Sequence, residues 1–380
     1  MSQDCFVEPT DVLMLRGNRL YGDPGSYGDS LMPPWPSAAA GAIRSAMLSS
    51  EGVDLEAFGR GDIRHPSIGT PREPGSFTMV SFHLARRSHA GKPEPLFAPS
   101  ADIVISRDAA GTLAVSRMQP RAPAAGLLCS SPLPMLPMLA DSRRAKPETG
   151  YWLTAEGWRR YLGGQSVPPA QLVHRAELWH FDDRIGVGLD AKTGSAADGR
   201  LFTVRAIAMR PGVGFVGSVA GAKLPSSLTL RLGGDGRAAH LGSEVAVSWP
   251  KPDFAALCKA GRARIVLTAP GIFATGWRPT GVVGQHVAGQ PMPFELGGLR
   301  ARLVAAAVPR AEVVSGFDLA RRQPKPAQRA APSGSVYWLE GLQADAAGLS
   351  ALMERGLWPD QGADASRRAE GFNRFTFAAY

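Results

Sequence analysis

Seven histidines are the first residues to weigh for chemistry, because a side chain that titrates near neutrality can serve as acid, base or metal ligand. They are His65, His83, His89, His174, His180, His240 and His286. None has a Glu, Cys or second His at a metal-ligand interval, and the nearest pair, His174 and His180, is six residues apart. His240, just after a glycine-rich segment, is the one that would suit the base of a ribonuclease; a lone histidine beside a strand is more often structural. Asp102 and the pair Asp182-Asp183 are isolated, whereas carboxylate catalysis needs two groups that converge in space. Cys5, Cys129 and Cys258 are too far apart for a metal knuckle or a redox pair and read as reduced thiols. No metal or cofactor site is expected.

Binding chemistry is better represented. Gly233-Gly234-Asp235-Gly236-Arg237 lacks the Lys-Ser/Thr of a nucleotide-hydrolysing loop, but glycines let a backbone come close to phosphate, and an Arg fork can then fix it. Other cations fall beside predicted strand ends and turns. Arg16 and Arg19 follow the first strand, Arg184, Lys192 and Arg200 lie on a predicted hairpin, and Arg321, Arg322 and Lys325 sit in the basic, proline-containing loop 320–329. Ser37 is placed as the N-cap of the first helix, where unsatisfied N–H groups favour an anion. The competing reading is a set of solvated surface charges.

The elements that must position these groups follow from pattern. Residues 6–15 form an apolar run read as a strand buried on both faces, followed by a basic, glycine-punctuated loop. Ala39, Ala42, Ile43, Ala46 and Met47 recur at helical spacing after Pro33-Pro34-Trp35-Pro36-Ser37. Residues 50–170 are broken by prolines and read as an insertion. Strands are predicted over 184–190, 201–209, 213–219, 228–232 and 243–249, and Pro250 and Pro252 then mark a boundary. Beyond it come a helix capped by Asp253, strands at 264–268, 299–308, 313–314 and 335–339, a helix over 345–355 and a last strand over 372–380. The order βαββαβ occurs twice, so the predicted fold is α+β. It comprises two ferredoxin-like (RRM-like) domains with antiparallel sheets, over 1–250 with the large insertion and over 251–380.

Composition agrees with an anionic partner. The 380 residues carry 42 Lys plus Arg against 33 Asp plus Glu, a formal charge of +9. Only seven of the cations are Lys, and Arg binds phosphate bidentately and stacks on bases; a GC-rich coding bias would enrich Arg in the same way. The 44 Gly and 32 Pro are about a fifth of the chain, below the roughly 25–30% typical of low-complexity disorder. The uncharged stretch 122–140 is interrupted by Pro123, Pro132, Pro134 and Pro137, which excludes a membrane-spanning helix there. No signal peptide is readable, and a cytoplasmic location is expected.

Several blocks together resemble the RAMP superfamily of CRISPR proteins, and more narrowly the third subunit of the type III-B Cmr complex. They are residues 8–19 (EPTDVLMLRGNR), 31–45 (LMPPWPSAAAGAIRS), 184–190 (RIGVGLD) through 199–202 (GRLF), the loop 233–237, 270–277 (PGIFATGW), and 316–320 (GFDLA) through 324–326 to 334–338 (GSVYW). The resemblance implies two ferredoxin-like folds, no catalytic activity of its own and a place at the foot of an RNA-guided antiviral ribonucleoprotein. There such a subunit grips the 5′ repeat-derived tag of the CRISPR RNA. The implied protein partners are the large polymerase-like subunit and the backbone RAMP subunits, with target RNA met only indirectly. By that carry-over Arg16, Asn18, Arg19, Ser37, Arg44 and the loop with Gly233, Gly234, Gly236 and Arg237 are RNA contacts. One departure is Glu370-Gly371-Phe372-Asn373, which has a single glycine where the family often carries a glycine-rich loop. Two other functions remain open at this point: a RAMP endoribonuclease processing CRISPR RNA, with His240 or a Tyr as base, and a purely structural scaffold.

Overall fold

The computed structural model describes residues 2–15, 17, 27–88, 90–108, 110–140, 146–284 and 287–380. It is a mixed α/β chain with antiparallel sheets and few helices. Two compact units divide it, the first from Met1–Glu94, Arg175–Val247 and Val313–Gln328, the second from Pro95–His174, Ser248–Glu312 and Arg329–Tyr380.

In the first unit five strands of the sheet lie side by side in the order Ser227–Arg231, Ala238–Gly242, Ser2–Pro9, Val213–Ala220, Thr78–Arg87. Its centre is Val213–Ala220, which has strands on both edges and is buried at every residue from Val213 to Val219. Helix Pro36–Ser50 covers the sheet with Ala39, Ala40, Ile43 and Met47; small side chains let a helix lie close. The predicted first strand is shifted. It spans Ser2–Pro9, because the Asp11 carboxylate accepts the Val12 N–H at 2.6 Å and turns the chain out of the ladder. Ser37 is not the N-cap: Trp35 holds that position without capping the helix through its side chain, and Pro36, with φ preset for a helix, takes the first helical position. Residues 243–249 are not a strand either. The last strand is Ala238–Gly242, and Gln3 binds the Ser243 hydroxyl at 3.1 Å and the Leu224 N–H at 2.8 Å where a ladder would otherwise continue.

In the second unit the order is Met292–Leu296, Leu299–Ala307, Val336–Gln343, Arg262–Leu267, Phe375–Ala378. One face packs Ile265, Leu303, Tyr337, Leu339 and Phe377 against Leu349 and Leu352 of helix Ala346–Arg355. The alternate residues Val266, Val304, Val336 and Trp338 meet Trp158, Tyr161 and Leu162 of helix Ala155–Leu162. That second face explains why residues 95–174 group with this unit and not, as the sequence suggested, with an insertion in the first: a sheet apolar on both sides needs two covers. The cap read from sequence is present, Asp253 accepting from Ala256 N–H at 3.0 Å, and Asp345 caps the helix predicted over 345–355 by accepting from Gly348 N–H at 2.6 Å.

Counting the four main strands of each unit in chain order, both sheets run fourth, first, third, second. Each departs once from the βαββαβ order. Among the described residues the first unit has no α-helix between its third and fourth strands, only strand Ser227–Arg231 and the turn Gly234–Gly236. The second has none between its first and second strands, where Pro270, Pro279 and Pro291 and several glycines oppose helix formation.

Candidate nucleic-acid interface

After leaving the ladder at Asp11, the chain passes between two other segments. The Leu13 N–H donates to Ile207 O at 2.8 Å and Leu13 O accepts from Ile207 N–H at 2.9 Å, tying the chain to the long hairpin of strands Trp179–Leu189 and Ala196–Met209. On its other side Met14 O accepts the Gly234 N–H at 2.7 Å. The glycine loop thus lies directly against residue 14. Gly233, at φ +87°, is required there, since a Cβ would stand 2.6 Å from Met14 O.

The loop's closing bond, Leu232 N–H to Arg237 O at 2.9 Å, presents Arg237, which pairs with the Asp11 carboxylate. The Nε of Arg237 is buried without a partner. Arg184, on the hairpin, also acts on Asp11. It bonds Asp182 from Nε at 3.1 Å and from Nη2 at 2.8 Å, and its field reaches the Asp11 carboxyl. That carboxyl is held below the usual range, first by the Val12 N–H and then by Arg237 and Arg184. The Asp182 bond in turn raises the Arg184 pKa.

The hairpin face that carries Arg184 continues outward as Gly186 and Gly188. A Cβ at Gly186 would lie 2.3 Å from the Phe202 ring, and one at Gly188 2.9 Å from the Arg200 side chain. Two glycines therefore let the Phe202 ring and the aliphatic stem of Arg200 lie across the strand that carries Arg184. Exposed ion pairs of this kind contribute little to stability, so a phosphate can take either arginine from its carboxylate, while the Phe202 ring offers a stacking surface.

The other predicted contacts are distributed differently. Arg16, Asn18 and Arg19 lie outside the described residues; their neighbours Leu15 and Leu31 are joined by a bond from Leu31 N–H to Leu15 O at 2.8 Å. Ser37 is in the first turn of its helix, and Arg44 stacks on the Phe77 ring at 4.8 Å. Lys192 is at the hairpin tip, where Asp190 accepts the Lys192 N–H at 2.8 Å. Five residues of strand, about 17 Å, separate Arg184 from Leu189, so Lys192 is not part of the cluster. Arg321 and Lys325 belong to the small hairpin Phe317–Asp318/Gln323–Pro324, whose tip approaches Gly59 of helix Leu55–Arg60. Asn373 is fully buried and binds Ile272 and Leu357 backbone at 2.6 to 3.2 Å, which makes that segment a structural tie. His240 is on strand Ala238–Gly242, opposite Glu8 and Thr229. Among the described residues there is no metal-holding group of three or more His, Cys, Asp or Glu, and no helix long and apolar enough to cross a membrane.

The glycine loop, from one sheet, and Arg184 and Phe202, from the long hairpin of another, thus bring two guanidinium groups and an aromatic ring to the neighbourhood of the Asp11 turn. The family model described as CRISPR-associated protein (Cas_Cmr3) matches residues 5–376, and the chain belongs to that family. The resemblance read from the sequence blocks is thereby confirmed. No curated protein matches the chain. Among solved structures, it is similar to a chain of the type III-B Cmr-beta assembly determined by cryo-electron microscopy with cognate target RNA and AMPPnP (TM-score 0.49, 11% identity, 98% of this chain and 95% of the other covered). A second Cmr-beta structure, bound to cognate target RNA, gives a TM-score of 0.43 at 13% identity over 88% and 86% of the two chains.

Proposed function

We propose that this protein is a non-catalytic subunit of a type III-B CRISPR RNA-guided effector complex, in which it holds the 5′ repeat-derived tag of the CRISPR RNA and docks on the large polymerase-like subunit. The observation that carries the reading is the convergence of Arg184 and Arg237 on the turn at Asp11, beside a glycine loop that admits no side chain at Gly233. Family membership supports it. The shared strand order of the two sheets, fourth-first-third-second, supports a pair of ferredoxin-like domains, each with one helical crossover replaced by a loop. In this role the protein positions RNA and leaves it uncut, in the cytoplasm, alongside the backbone RAMP subunits and with target RNA met only indirectly.

The test is charge reversal at both arginines, Arg184→Glu with Arg237→Glu, in the reconstituted complex. Retention of tagged CRISPR RNA is expected to fall while untagged RNA is held as before. Unchanged retention overturns the assignment of these residues, and metal-independent cleavage of repeat RNA that is lost in His240→Ala would replace the whole reading with an endoribonuclease.

A further inference from the structure

The second unit contains a cavity that the RNA reading leaves without a role. It has a volume of about 160 Å³ and lies between strands Ile103–Arg107 and Leu113–Arg117 and the turn after helix Ala155–Leu162. Its walls are largely apolar, from Ile103, Val115, Val167 and Tyr161, and its polar lining includes Arg117.

The charges around it do not balance. Arg264 and Asp102 are fully buried and paired with each other. Both oxygens of Asp102 are committed, Oδ2 to Arg264 and Oδ1 to the Tyr161 hydroxyl at 2.8 Å. Arg264 spends its remaining donors on Ala379 O and Tyr161 O at 2.7 to 3.0 Å. Arg117 is a second, half-buried guanidinium with no carboxylate of its own among the described residues; burial and the Arg264 charge lower its pKa against the smaller, opposite effect of Asp102. With the amide oxygen of Gln119 turned toward it, Arg117 donates from Nε and Nη2 at 3.1 Å each, while Nη1 is buried without a partner. The nearby helix end supplies nothing. Its last carbonyls, from Arg159 to Leu162, already accept from Gly163, Gln165, Gly164 and Ala379 N–H groups. A buried donor without a partner is costly, and an anion that reaches Nη1 is correspondingly favoured.

We propose that this pocket binds a carboxylate carried on a compact apolar body, its anionic group on Arg117 and its body among Ile103, Val115 and Val167. One guanidinium balances a single negative charge, which favours a carboxylate over a phosphate dianion. The volume equals that of about five waters, room for a branched or aromatic side group. Such a carboxylate can be a free small molecule or an acidic side chain of a partner protein.

Binding to the full chain is measured by calorimetry at fixed ionic strength with three probes: benzoate, inorganic phosphate and the blocked peptide acetyl-Leu-Glu-Leu-amide. Saturable binding of benzoate or the peptide, and none of phosphate, is expected; the tighter of the two carboxylates identifies the source. Arg117→Gln should weaken it about tenfold or more, the usual size of a lost charge-assisted bond, without lowering the melting temperature of the unliganded protein. Val167→Trp should block binding with Arg117 in place. Equal binding by Arg117→Gln, phosphate binding as tight as benzoate, or no saturable carboxylate binding would each overturn the proposal.

Discussion

Replacing Arg184 and Arg237 together by Gln removes two candidate phosphate contacts while leaving the Gly233 loop geometry in place. A hydrogen bond to a charged group contributes roughly 1.5–3 kcal/mol. Each arginine must first leave an exposed carboxylate, Asp182 or Asp11, at a cost of about 0.2–1 kcal/mol. The net is about 1–2 kcal/mol per arginine, or 2–4 kcal/mol for the pair, which corresponds to a loss of affinity of roughly thirty- to several-hundred-fold. Counterion release gives an independent number. Each phosphate contact on a single strand contributes about 0.7 to the slope of log affinity against log salt, so the double variant should flatten that slope by about 1.4. Fluorescence anisotropy of tagged RNA across a salt series reads both quantities. A loss of affinity with an unchanged slope would mean that the arginines act through folding and not on phosphate, and an unchanged affinity would refute the assignment altogether.

Four further outcomes are expected. Asp11→Asn should tighten RNA binding, because it frees Arg237 from its internal competitor; the same anisotropy assay checks it. The Asp11 carboxyl is depressed in the folded chain, so its tie to Arg237 is present above its unfolded value of about 3.9 and is lost as pH falls through the lower folded value. An NMR titration should show that value rise in Arg237→Gln, and no change would contradict the pairing. Gly233→Ala should destabilise the chain by about 1–3 kcal/mol, from positive φ and the clash with Met14 O, read in urea unfolding. Asp102→Asn should cost about 3–5 kcal/mol by leaving Arg264 uncompensated, whereas the double change Asp102→Leu with Arg264→Met should cost much less.

Local signals carried much of this structure. Helix starts at Asp253 and Asp345 were legible because a capping carboxylate acts within three residues, and the hairpin and glycine loop because turn chemistry is local. The family blocks were legible for the same reason. Asp11 lay in a quoted block, yet nothing near it in sequence identifies a partner 226 residues away. The Arg264–Asp102 pair, 162 residues apart, was equally hidden. Ser37 looked like a cap because Ser is a good one, but Pro36 had already set the first helical φ. Phe202 could have been found from Gly186 and Gly188, two glycines alternating along a strand, which mark a face where something large lies against the backbone.

The second sheet's dependence on helix Ala155–Leu162 has a consequence during synthesis. Trp158, Tyr161 and Leu162 leave the ribosome long before strands Arg262–Leu267, Val336–Gln343 and Phe375–Ala378, which they cover. At about 5–20 residues per second, translation of the roughly 200 intervening residues leaves that apolar helix face waiting about 10–40 s for its partner. The nascent chain is therefore a natural client for a chaperone, and its second core closes only when the last strand has been released.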